Sequence, residues 1–165
     1  MDGVTSRSLT FNGPLEAGVR AVAILDAAYP RAYDLQRLTA LDYLVTRTSS
    51  IGGPNDLHPA APIQTPATDV RRRVVHDALL LMMTRQLVER VADSNGIRFA
   101  AGEASTSFLE SLRTDYFKRV KARARWLADN LGNRSDEEFN GLMRQLFADW
   151  VEQFQSAEQS FGASS

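Results

Sequence analysis

Asp69–Ala101 reads DVRRRVVHDALLLMMTRQLVERVADSNGIRFAA, and the change of period inside it decides the fold. From Val70 the apolar residues Val70, Val74, Ala78, Leu81 and Met82 recur at intervals of three and four, the spacing that lines one face of an α-helix. Thr68 and Asp69 stand where they cap the free amide groups of that helix, and an acid there suits the positive end of the helix dipole. After Arg85 the composition turns to Leu87, Val88 and Val91, then Asp93, Ser94, Asn95 and Gly96, then Ile97, Arg98 and Phe99. Asn95 and Gly96 both tolerate the positive φ that a tight turn between twisted strands requires, so two short strands are predicted.

Outward from this stretch, Asn12, Gly13 and Pro14 open an earlier helix whose buried stripe is read as Leu15, Val19, Val22 and Leu25. Pro30 ends it, and Asp34 caps a second helix with apolar positions Leu35, Leu38, Leu41, Leu44 and Val45. Two helices, an arginine-led third helix and a tight hairpin make up the winged-helix plan. One feature departs from a plain DNA-binding helix-turn-helix, whose turn is only a few residues. The connection 48–67 is long and contains Gly52, Gly53, Pro54, Pro59, Pro62 and Pro66, so it is neither helical nor a central strand. It is either a surface insertion or a loop that contacts a partner.

Downstream, a short helical segment is expected around Phe108–Leu112. Thr114 then caps a helix with Phe117, Val120, Ala124, Leu127 and Leu131 inward and Lys118, Arg119, Lys121, Arg123 and Arg125 mostly outward. Gly132 is read as its stop. Ser135 and Glu138 form a capping box for a last helix carrying Phe139, Leu142, Met143, Leu146, Phe147, Trp150 and Phe154, with acids at Asp136, Glu137, Glu138, Asp149, Glu152 and Glu158. The expected fold is mainly α with a small β-hairpin. A flexible N-terminal arm (1–11) leads into a winged-helix-like domain (12–104), and a C-terminal helical hairpin (105–165) follows.

A chain of 165 residues with net charge −1 is not a globally basic nucleic-acid binder, although local patches remain open. The absence of cysteine excludes disulfides, thiol chemistry and cysteine-ligated zinc. No apolar run reaches membrane-spanning length and Met1–Thr10 lacks a signal-peptide core, so a soluble, cytoplasmic protein without membrane contact is expected. His58 and His76 have no metal-pair spacing, Gly52 and Gly53 are followed by proline rather than a phosphate-binding helix start, and Ser49 and Ser50 sit in no nucleophile elbow. No catalytic residue, metal site or cofactor is read from the sequence.

Two sets of residues are singled out for binding. Arg71, Arg72, Arg73 and Arg98, with Lys118, Arg119 and Lys121, suit either DNA or an acidic protein surface. Three cations in a first turn oppose the helix dipole at a cost of a few tenths to about 1 kcal/mol each, which invites an anion there. Phe139, Met143, Leu146, Trp150 and Phe154 form an aromatic stripe that either packs as core or docks on a partner.

The passages PLEAGVRAVAILDAAYPRAYDLQRLTALDYLV, GGPNDLHP and RRRVVHDALLLMMTRQLVERVADSNGIRFAAG, followed by FLESL, resemble in content and order the middle component of bacterial ABC-three-component systems over about Asn12–Gly132. The resemblance implies a small winged-helix accessory subunit made alongside a large coiled-coil ABC ATPase of the SMC or RecN type and an effector, possible nuclease included, in Lamassu-type defence against phages and plasmids. It implies a noncatalytic adaptor bridging the two, with DNA contacted through the complex. The rival expectation is a free-standing winged-helix transcription regulator.

Overall fold

The computed structural model describes residues 13–58, 69–146 and 148. Thr68, Phe147, Trp150 and Phe154 lie outside these residues. The chain divides into two units, one ending at Asn133 and the other beginning at Arg134. In the first, α1 (Pro14–Ala28), α2 (Leu35–Thr46) and a 3-10 turn (Thr48–Ile51) precede α3 (Asp69–Met83). The hairpin strands β1 (Val88–Asp93) and β2 (Gly96–Ala101) follow, then α4 (Ser105–Ser111) and α5 (Asp115–Leu131). In the second unit α6 covers 136–146. The fold is mainly α with a small antiparallel hairpin, as the sequence predicts.

α1 is the centre of the first unit. Every residue from Ala17 to Leu25 is buried, because α3 and α5 pack on it most extensively and α2, α4 and β2 close its remaining sides. A helix covered all round needs small residues where neighbours come close. At Gly18 an added Cβ would lie 2.4 Å from Met82 Cε, so glycine there admits the α3 side chain. Leu15, expected in the buried stripe, is instead 60% exposed, because it precedes the packed segment by most of a turn.

α2 starts as predicted, with Asp34 Oδ1 accepting from the Arg37 amide at 2.8 Å. Leu38, Leu41, Leu44 and Val45 are buried. On α3 the inward residues are Val75, Ala78, Leu79 and Met82. The expected face is therefore rotated: Val70 is 76% exposed, and Val74 and Leu81 are only half-buried. The runs Val74-Val75 and Leu79 to Met83 are apolar on every side, so their spacing fixes the period of the helix and leaves its phase open.

The end of α3 explains how the hairpin is launched. The amides of Gln86 and Leu87 donate back to the carbonyls of Met83 and Met82 at 3.1 and 3.0 Å, and Gln86 takes the left-handed φ of 62°. This is a Schellman termination in which glutamine occupies the position that glycine usually holds. Leu87 and Met82, the positions whose apolar contact usually accompanies this motif, are both buried. The strands then pair from Val88↔Ala101 to Asp93↔Gly96. At the tip the Asn95 amide donates to Asp93 Oδ1 at 2.7 Å, and of the two residues that tolerate a positive φ it is Gly96 that takes one, 114°. On the far edge of β2, Tyr33 and Phe99 exchange both backbone hydrogen bonds, at 2.8 and 2.9 Å. The order along the chain is therefore helix, bridged residue, helix, helix, hairpin.

The first part of the 48–67 connection is docked. Thr48, fully buried, donates to the Pro54 carbonyl at 2.6 Å, and Leu57 returns an amide to Thr46 at 3.0 Å. Gly53 lies against α5, where an added Cβ would meet the Trp126 ring at 2.7 Å. α5 is capped by Thr114 and buries Val120, Ala124, Leu127 and Leu131, while Phe117 is half-buried. The helix stops at Gly132 as expected; the glycine keeps a right-handed φ of −61°, and an added Cβ would run into the Ala128 carbonyl oxygen, so the need for glycine there is one of space. At α6, Ser135 Oγ accepts the Glu138 amide at 3.1 Å and donates to Glu138 Oε1 at 3.2 Å. The predicted capping box is present, with its return bond made between the side chains.

Candidate functional site

Beneath the first turns of α3 and α5 lies a buried cluster of charged and polar side chains. Asp42, carried inward by α2, accepts from Arg20 Nε at 2.7 Å and from Arg71 Nη1 at 2.8 Å. The Arg20 and Asp42 side chains are 4% and 3% exposed, that of Arg71 28%. Arg71 also lies over the Tyr43 ring, 5.4 Å from its centre. Tyr116, at the start of α5, hydrogen-bonds Arg20 and meets His58 Nε2 at 2.8 Å, their rings stacked 5.9 Å apart at 11°. The cluster thus ties α1, α2, α3, α5 and the docked end of the long connection to one carboxylate.

Its electrostatics follow from this crowding. Burial disfavours the charged form of Arg20, but Asp42 and the Tyr116 hydroxyl outweigh it and hold the guanidinium pKa above its ordinary value. Burial raises Tyr116, against the pull of Arg20. His58 is pushed down to about 4, first by burial and then by Arg20 and Arg47, with Asp42 opposing. It is therefore neutral at pH 7. A neutral imidazole stacked on a tyrosine and faced by arginines is a docking contact. Among the described residues no group of three or more His, Asp or Glu could hold a metal ion.

The structure separates residues that the sequence grouped together. Arg71 is committed to Asp42, while its neighbours Arg72 and Arg73 are exposed. Lys121 Nζ donates to the Leu109 and Leu112 carbonyls at 2.9 Å each, closing the end of α4. Lys118 and Arg119 are exposed on α5, and Arg98 is half-buried on β2 opposite Val91. On α6, Phe139, Met143 and Leu146 follow one another at intervals of four and three. Sequence reasoning missed Arg20, Asp42 and Tyr116. A charged residue inside an apolar helix, Arg20 between Val19 and Ala21, was the available signal.

The family model of the ABC-three component (ABC-3C) system Middle Component 2 matches residues 10–153. The chain belongs to this family. No curated protein and no solved structure matches it. As a middle component the chain is one part of a three-component system, which is the identity its block order suggested. No described helix of this middle component is long and apolar enough to cross a membrane.

Proposed function

We propose that this middle component is a noncatalytic, cytoplasmic adaptor that bridges a coiled-coil ABC ATPase of the SMC or RecN type and an effector, in a Lamassu-type system directed against phages or plasmids. The outer face of α3 carries the reading. Exposed Val70 (76%) and Leu80 (48%) share that helix with exposed Asp77, Arg72 and Arg73. Apolar and acidic groups among the arginines suit a protein surface better than a phosphate backbone, which rewards cations alone. The loss of Arg71 to Asp42 weakens the case for a DNA-reading first turn further.

Co-expression with the ATPase and effector encoded beside it, followed by size-exclusion chromatography, tests the adaptor. Co-elution that Leu80→Glu abolishes is expected; a chain that always elutes alone overturns the proposal. The second reading, a winged-helix regulator, is favoured by the exposed Arg72 and Arg73 at a helix start. It requires tight, steeply salt-dependent binding of the isolated chain to one defined duplex, lost when these arginines are neutralised. DNA contact made only in the assembly leaves the isolated chain a poor duplex binder and makes DNA-stimulated activity of the complex depend on Arg72 and Arg73.

A further inference from the structure

We infer that the free edge of β1 is a docking site for an extended protein segment, which adds a third, antiparallel strand with cations opposite Glu89 and Asp93. The parity of the hairpin decides which backbone groups are offered. Phe99 exchanges both its bonds with Tyr33, so its amide and carbonyl point away from β1, and by the alternation of antiparallel pairs those of its partner Arg90 point away from β2. The same holds for Ala92, two residues on. The outer edge of β2 is bridged at Phe99, whereas the sheet ends at β1, whose residues 89–93 are exposed. Nothing in the shape of this strand blunts its edge: β1 pairs without a bulge and contains neither proline nor glycine.

Its charges select what can pair. A second copy, bonding through the same outward groups about a two-fold axis, sets Arg90 against Arg90, Glu89 against Asp93 or Glu89 against Glu89 in registers centred on Arg90, Val91 or Glu89. Like charges directly opposite one another destabilise a pair, so the edge rejects itself. A foreign strand is free of that constraint. On one face of the sheet Glu89 and Asp93 flank Val91, and on the other Arg90 lies beside Ala92, whose cross-strand neighbour is Ile97. Val91 and Ile97 are 39% and 48% exposed, so each face offers an apolar contact next to its charge. Neither Glu89 nor Arg90 makes an ion pair or side-chain hydrogen bond among the described residues. The complementary segment, read antiparallel from the position opposite Asp93, is cation, apolar, apolar, acid, cation.

That the segment belongs to another component of the system rests on the adaptor reading, whereas the selectivity of the edge does not. The test titrates the isolated full chain, labelled with 15N, with the peptide acetyl-Lys-Val-Ile-Glu-Lys-Thr-amide. Saturable shifts of the Glu89, Arg90, Val91 and Ala92 amides are expected. N-methylation of the peptide's Val and Glu, whose amides face Ala92 and Arg90, is expected to abolish them; N-methylation of its Ile and second Lys, whose amides face away, is not. Ala92→Pro removes an amide that points outward and leaves the β1–β2 ladder in place, and it is expected to abolish binding. Glu89→Lys, at an exposed site, is expected to weaken the peptide about fivefold. Equal binding of the two methylated peptides, or shifts centred away from β1, overturn the inference. A concentration-dependent dimer that Ala92→Pro abolishes makes a second copy the occupant and overturns the foreign strand. Co-elution with the ATPase and effector that survives Ala92→Pro overturns the source of the strand and leaves the adaptor standing. Edge binding by a chain that always elutes alone removes the adaptor and leaves the edge.

Discussion

α1 and α3 are both fifteen residues long, and they solve opposite problems. α1 is covered on all sides, and its one internal cation, Arg20, is matched to a carboxylate from the next helix. α3 buries four side chains along a single face and leaves apolar, acidic and basic groups outside. The first helix holds the fold together and the second presents a surface. They meet at Asp42, which takes Arg20 from the interior and Arg71 from the first turn of α3. A charge in this molecule is therefore structural or available according to the face it occupies, even between adjacent arginines.

The hardest way to break this contrast is at Asp42. Asp42→Ala leaves Arg20 buried opposite a second cation, and the loss expected for an uncompensated buried charge is about 3–5 kcal/mol. Urea unfolding reads it directly. Arg71→Gln should cost less, because the half-exposed guanidinium of Arg71 leaves the Arg20–Asp42 pair intact behind it. A loss at Asp42→Ala below about 1 kcal/mol would show that solvent or other groups reach the cluster, and the interior would no longer differ from the surface in this respect.

The cluster also has a pH signature through His58. Its folded pKa of about 4 lies below the ordinary value of 6.5, so the unfolded chain takes up a proton first as the pH falls. Stability from this group is complete above about pH 6.5 and is lost as the pH drops toward 4. Because the imidazole is half-exposed, solvent screening reduces the effect to about 1–2 kcal/mol. Thermal midpoints should decline over this window, and His58→Gln should flatten that part of the decline. An unchanged slope in the variant would mean that the stack on Tyr116 does not hold the end of the connection.

Much of the scaffold was legible in the sequence because its signals are local. Asp34 and Thr114 cap where a short polar side chain precedes an apolar period, and Gly96 sits where the turn needs a positive φ. The family could be read from the order of its blocks, which matched over most of the chain. The rotation of α3 was not legible, because Val74-Val75 and the run from Leu79 to Met83 offer apolar groups to any direction. Nor was the cluster. Arg20, Asp42, Arg71 and Tyr116 come from four helices, and nothing in their spacing shows that they converge. Gly132 was legible as the stop of α5 but its reason was not: it keeps a right-handed φ, and glycine makes room there beside the Ala128 carbonyl and the Arg31 guanidinium.

A smaller effect, of opposite sign, is expected where α3 hands over to the hairpin. Gln86 holds a left-handed φ of 62° with its side chain exposed, a conformation that costs a residue with a Cβ and suits glycine. Gln86→Gly should stabilise the chain by up to about 1 kcal/mol, since relief of the strained φ exceeds the added freedom of the unfolded glycine. A destabilised variant would show that the glutamine side chain contributes a contact that outweighs its backbone.

The smallest expected change tests the contrast most finely, within one turn of helix. Arg72 and Arg73 are exposed where the positive end of the α3 dipole repels them, whereas Arg71 beside them is held by Asp42. Replacing both with glutamine should leave stability unchanged or raise it by a few tenths of a kcal/mol at low ionic strength, a gain that added salt removes. The same double variant should weaken assembly with the partner components, since a repulsion tolerated in the free chain is relieved when an acidic surface covers it. A loss of stability above about 1 kcal/mol would make these arginines as structural as Arg71. Unchanged stability with unchanged assembly would mean that the apolar residues Val70 and Leu80 carry the contact on this face, with the arginines beside it.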